Sequence, residues 1–216
     1  MPDSNLIDIT HDIIPGSTSV WPGDTAPTRE VLMELDAGDS VTLSTLHSTV
    51  HLGTHADGPC HYGSGHPGVG EMSLEHYIGP CRVIRIQAAA RARVTISDLG
   101  EAPIDAPRIL IDTGTFHRLD VFNEDFAALD PELIDHLAKH GVITVGLDSP
   151  SVDIIDSKDL PAHGRCLANG MAILETLKLA DVRPGRYDLC AQPLKLMGFD
   201  GSPVRAVLRQ YETTAI

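Results

Sequence analysis

Nineteen glycines and 15 prolines are spread along this 216-residue chain from end to end, and they cut its apolar residues into short runs. Glycine weakens a helix and proline breaks it, so few windows leave room for a helix of ordinary length. What lies between the breakers is β-rich: Leu6–Ile9, Glu30–Leu35, Val41–Leu46, Ser48–His55, Arg82–Ile86, Ile109–Asp112, Val142–Leu147, Tyr187–Ala191 and Val204–Gln210. Several of these runs are almost wholly apolar, as strands buried on both faces are. The best helix is Pro131–His140, with Asp130 as cap, Pro131 in the first turn, a stripe of Leu133, Ile134 and Leu137, and Gly141 as the stop. Weaker helical turns are expected at Ser73–Tyr77, Thr95–Gly100 and Arg165–Ala172. The mixture predicts an α/β fold built on a mixed sheet. With no linker, repeat or charge block, residues 1–216 read as a single domain.

Asp and Glu outnumber Lys and Arg by 30 to 16, a formal charge of -14. Nucleic acids and anionic membrane surfaces recruit basic patches, so neither is an expected partner. No apolar run approaches the roughly 20 residues of a membrane span, and the first residues, MPDSNLIDITHDIIPG, lack the basic start and apolar centre of a signal peptide. Four cysteines (Cys60, Cys81, Cys166, Cys190) lie far apart without a CxxC pair, which fits reduced thiols and a cytoplasmic protein. Against this plain background 11 histidines stand out, six of them between His47 and His76.

The segment His51-Leu52-Gly53-Thr54-His55-Ala56-Asp57-Gly58-Pro59-Cys60-His61 spells H-x-x-x-H-x-D-x-x-x-H. On a helix His51 and His55 would share a face, but Gly53, Gly58 and Pro59 disfavour a helix, and Asp57 would point about 200° away from His55. In an extended segment positions i, i+4 and i+6 project to one side, so His51, His55 and Asp57 converge as an N,N,O donor set. The bend at Gly58-Pro59 can bring His61 toward the same point. Imidazole and carboxylate without thiolate suit Zn²⁺, with Mn²⁺ or Fe²⁺ as alternatives. Extension turns the Cys60 side chain away.

Two residues outside the segment are candidates to complete the site. His163 follows the break Leu160-Pro161-Ala162, and Glu175 sits in the apolar stretch Met171–Leu177. A carboxylate there either reaches solvent or is buried with a partner, since an unpaired buried charge is very costly. Serine-based hydrolysis has no support, because the chain lacks a G-x-S-x-G elbow.

The H-L-G-T-H-A-D-G-P-C-H motif resembles the signature of the metal-dependent cyclase family, which includes bacterial kynurenine formamidases (arylformamidases). The resemblance extends through Val20-Trp21-Pro22-Gly23-Asp24, Gly146-Leu147-Asp148-Ser149-Pro150-Ser151, Met171–Glu175 and Asp200-Gly201-Ser202-Pro203-Val204-Arg205-Ala206-Val207. The Trp21 segment and the last of these favour the formamidase branch. That resemblance implies a swivelling β/β/α-type fold, a homodimer, and metal-dependent hydrolysis of N-formyl-L-kynurenine to L-kynurenine and formate. It implies two zinc ions, one held by His51, His55 and Asp57, the other by Asp57, His163 and Glu175. His61 would be the general acid/base, and Trp21 would line the pocket for an aryl formamide. Where relatives often carry a second histidine after the position of His163, this chain has Gly164; the first of the pair is the implied ligand. Isatin hydrolysis by the same site and a non-catalytic metal-binding module are the competing expectations.

Overall fold

Sequence neighbours in the central apolar runs pack on opposite sides of one sheet. Val83, Leu110, Ala172 and Leu174 lie in one core, while Ile84, Ile109, Ile111 and Ile173 lie in the other. This is the two-residue alternation of a strand buried on both faces. The computed structural model describes residues 5–210. Its strands in chain order are β1 (Leu6–Asp8), β2 (Thr28–Met33), β3 (Leu43–His47), β4 (His55–Asp57), β5 (Ile78–Arg85), β6 (Arg93–Val94), β7 (Arg108–Asp112), β8 (Ala128–Leu129), β9 (Thr144–Leu147), β10 (Ala172–Glu175), β11 (Gly185–Cys190), β12 (Gly201–Pro203) and β13 (Val207–Gln210).

Nine of them form one mixed sheet in the order β1-β13-β11-β5-β7-β9-β10-β4-β12. The run β5-β7-β9-β10 is parallel, and the flanking pairs are antiparallel. Two α-helices, α1 (Pro131–Lys139) and α2 (Pro161–Ala168), provide crossovers on one face. The fold is thus a mixed α/β single domain, as the spacing of the apolar runs predicts. In α1, the Asp130 side chain accepts from the Glu132 N–H, and Leu133, Ile134 and Leu137 are fully buried. Each contributes about 1.5–3 kcal/mol of burial, which anchors the helix to the sheet. No helix among the described residues is long and apolar enough to cross a membrane.

Three local expectations are corrected. The run Ser48–His55 is not a strand: only His55–Asp57 pairs, because Gly53 adopts φ +57 and turns the chain just before it. The helical turn expected over Arg165–Ala172 begins earlier, at Pro161, and ends at Ala168, so His163 sits in its first turn. Its N-cap, Leu160, has no capping side chain and a left-handed φ of 42°, which conceals the start from a search for Ser, Thr, Asp or Asn. Ala172 instead opens β10, a buried strand that the sequence reading treats only as an apolar stretch.

The strands that matter for the site lie near one edge of the sheet. β4 is held between β10 and β12, with His55 opposite Glu175 and Asp57 opposite Gly201. The register alone therefore sets a buried carboxylate beside the second histidine of the motif.

Candidate metal centre

His55 and Asp57 point to one side of β4, while the intervening Ala56 packs into the core on the other side. Asp57 is the hub. Its Oδ1 lies 3.1 Å from His51 Nδ1 and 3.4 Å from His55 Nε2, and its Oδ2 lies 3.6 Å from His163 Nε2. Glu175 closes the group, with Oε2 3.4 Å from His55 Nε2 and Oε1 3.8 Å from His163 Nε2. His51 joins through the turn at Gly53 rather than by strand parity. Its ring lies flat against Gly201, where an added Cβ would sit 2.9 Å from His51 Cε1.

Each of these three imidazoles is held by its outer nitrogen. His55 Nδ1 donates to the Gly53 carbonyl at 2.8 Å, His163 Nδ1 to Asp153 Oδ2 at 2.9 Å, and His51 Nε2 to Asp200 Oδ2 at 3.2 Å. A proton fixed on the outer nitrogen leaves the inner one with a lone pair facing Asp57, the arrangement that orients histidines toward a metal. Asp153 is itself well anchored, accepting from the Ala162 and His163 amides and from Arg93. Burial works against its charge, but these donors outweigh it and hold the carboxyl below the usual range.

The donor set fits a divalent cation. Asp57 is 1% exposed, and neither of its oxygens receives a directed hydrogen bond. Burial opposes its ionisation, yet His163, His51 and His55 at short range keep it well below the usual carboxylate range. Two buried carboxylates call for positive charge between them. Without a metal, protons supply it. Burial pushes His55 and His163 down, but the carboxylates prevail and raise both to about 10.

Those shifts make a pH prediction for chelated protein. Histidines raised in the folded state stabilise it fully below their unfolded value of 6.5, and that stabilisation fades as pH rises toward about 10. Thermal melts of chelated protein should therefore show Tm falling across this window, and saturating Zn²⁺ should flatten the profile. An equally flat profile without metal would contradict the charge assignment.

His61 lies beside the cluster in the short turn Pro59–His61 that Gly58-Pro59 introduces, its ring 4.2 Å from that of His51. Its Nδ1 is 3.8 Å from Asp200 Oδ2, and its side chain is 37% exposed where those of His55 and His163 are 4% exposed. Burial, the largest influence, lowers its pKa from the ordinary imidazole value. Cys60 turns away, its Sγ directed at the Phe199 carbonyl.

Above this floor opens a cavity of about 270 Å³ whose walls include Trp21, Phe116, Leu119, Phe122 and Leu160. Trp21 meets Phe122 edge-on at 5.6 Å and Phe126 at 6.0 Å. Two lining residues, Leu160 and Thr176, hold positive φ values of 42° and 56°. Such strain persists only where the surroundings impose it, and here it flanks His163 and Glu175.

All seven residues singled out from sequence thus meet at one site: His51, His55, Asp57, His61, His163 and Glu175 at the floor, and Trp21 on the wall. The sequence reading missed Asp153, Asp200, Phe116 and Phe122. Asp200 enters the sequence analysis only within the family-like segment Asp200–Val207, with no site role attached. Asp148, part of one family-like segment, accepts from the Thr113 and Gly114 amides and so pins a turn.

Residues 7–154, more than half of the chain, match the family described as "Putative cyclase". The chain belongs to this cyclase family. Among solved structures it is similar to one described as a potential metal-dependent hydrolase with cyclase activity, at 28% identity over 96% of this chain and 98% of that one, TM-score 0.83. A metal-dependent hydrolase described as predicted, from Bacillus stearothermophilus, is similar at 28% identity over 94% and 97%, TM-score 0.77. Isatin hydrolase A from Labrenzia aggregata shares the fold at 24% identity over 94% and 92%, TM-score 0.76.

Proposed function

We propose that this chain is a metal-dependent hydrolase of aryl formamides that converts N-formyl-L-kynurenine to L-kynurenine and formate. One observation carries the reading: an aromatic-walled cavity ends on a floor of oriented imidazoles and buried carboxylates, with a further, more exposed histidine, His61, at its edge. Zinc is the preferred metal, with manganese as the alternative, since the donors are nitrogen and oxygen alone. Two ions per chain are supported by Asp57, whose Oδ1 faces His51 and His55 while Oδ2 faces His163 and leaves room for a bridging role. Similarity to metal-dependent hydrolases at 28% identity supports the same class.

When bound, the ions supply an acidified water and polarisation of the formyl oxygen. The remaining task falls to the chain. His61, not needed as a ligand, accepts the proton of the attacking water and returns it to the departing aniline nitrogen. Trp21 stacks on the aryl ring and fixes the formamide over the floor. Trp21→Ala should accordingly raise KM more than it lowers kcat in steady-state assays; the reverse split would assign Trp21 to packing alone.

The same cavity has space for a cyclic aryl amide, and isatin hydrolases share the fold. A panel of N-formylkynurenine, other aryl formamides and isatin separates the readings. Formamide turnover well above isatin turnover supports the proposal, isatin preference replaces it with the alternative, and no turnover of either with metal present leaves a binding module.

Homodimerisation is part of the proposal. The β2–β3 hairpin forms its own two-stranded sheet and exposes Val31, Leu32, Leu35, Val41, Leu43 and Leu46, an apolar surface suited to a second copy of the chain. Light scattering should give twice the chain mass, and Leu32→Lys with Leu43→Lys should return it to the monomer value. A monomeric wild type would refute this part.

A further inference from the structure

Trp21 reaches the cavity from a tight turn that brings in a second residue. In Trp21-Pro22-Gly23-Asp24 the Asp24 N–H donates to the Trp21 carbonyl at 2.9 Å, and Gly23 has φ +92°. Proline at the second position and a left-handed glycine at the third define a type II turn. The first and fourth Cα atoms of such a turn lie within about 7 Å of one another. Both Trp21 and Asp24 line the cavity, so the two residues are adjacent parts of one wall.

The charge of that wall is one-sided. Among the described residues no lysine or arginine lines the cavity; apart from the histidines, the charged groups lining it are Glu175 at the buried floor and Asp24, which is exposed. Asp24 Oδ1 accepts from the Thr25 amide at 2.8 Å, and Oδ2 has no hydrogen-bond or ion-pair partner among the described residues. A ring stacked on Trp21, with its formamide over the floor, therefore sends its other substituents past a carboxylate. The chain's formal charge of -14 adds to the pull on cations and the repulsion of anions at this mouth.

We propose that Asp24 is a specificity-determining residue that pairs with a primary ammonium group carried on the side chain of the aryl substrate. In a substrate bearing both ammonium and carboxylate, the ammonium faces Asp24 and the carboxylate projects to solvent. A neutral cyclic amide gains nothing from this contact, and an aryl acid lacking the amine is repelled. The assignment rests on the aryl formamide reading above and adds the charge of the substrate class to it.

The test compares N-formylkynurenine with its deamino analogue, 4-(2-formamidophenyl)-4-oxobutanoate, which keeps ring, formamide and carboxylate and lacks only the ammonium. The readout is the ratio of the two kcat/KM values on a single zinc-loaded preparation, so differences in folding or metal loading cancel. Wild type should favour the amine-bearing substrate by about tenfold or more, the scale of a charge-assisted contact at a partly open site. Asp24→Asn should cut that ratio at least fivefold, and Asp24→Glu should retain most of it. A smaller change in Asp24→Asn, or a wild-type enzyme that hydrolyses both without preference, overturns the role of Asp24 while leaving formamide hydrolysis intact. If zinc-loaded wild type hydrolyses neither compound, the aryl formamide reading itself fails, and this assignment with it.

Discussion

Asp57→Asn is expected to abolish metal retention and to lower kcat/KM on an aryl formamide by about 10³-fold or more. Among the described residues, Asp57 is the one carboxylate that forms an ion-pair contact within 4 Å with all three oriented histidines, and its two oxygens face different partners. The amide keeps the size of the carboxylate but removes its charge and replaces one acceptor by an NH₂ donor. Both halves of the donor set then lose their shared oxygen ligand. Metal polarisation is worth several kcal/mol of barrier, and each 1.36 kcal/mol is tenfold in rate, so three powers of ten is a modest expectation. The substitution should also release the histidines that Asp57 helps to hold at about 10. Metal content by elemental analysis and the rate on the same sample check this together. Asp57→Asn protein that keeps full metal and activity would refute the hub role.

His61→Ala should behave differently: kcat falls by about 10²–10⁴-fold, the usual contribution of a positioned acid/base, while metal content survives. The distinction follows from position. His61 is the most exposed of the four site histidines, at 37%, and sits at the cavity edge. Burial lowers its pKa and so favours the base form, and the acidic limb of the wild-type kcat/KM profile should disappear in the variant. Loss of metal in parallel with activity would instead make His61 a ligand. That outcome is chemically reasonable to test, because its nitrogen falls in one donor grouping with His51 and Asp57.

Period-two reasoning found Asp57, because His55 and Asp57 do share one face of a strand. It reached His51 by the wrong route, since Gly53 breaks the extension and the ring arrives from a turn. Glu175 was ambiguous in an apolar stretch until the register set it opposite His55. Asp153 had no local signal to separate it from Asp156 and Asp159; its role exists only because the first turn of α2 lands on it. Asp200 acts across 149 residues of chain, a separation that no local pattern spans. The aromatic wall likewise needs the fold, which carries Phe116 and Phe122 to Trp21. Local spacing thus reveals donors that one strand presents together, and partners brought in by distant elements become visible only in three dimensions.

Chelation followed by metal add-back, assayed on N-formylkynurenine, tests the central claim most directly. Stripped protein should be inactive, and Zn²⁺ should restore turnover with saturation at two equivalents per chain. Formamide hydrolysis that persists at full rate without metal would contradict it.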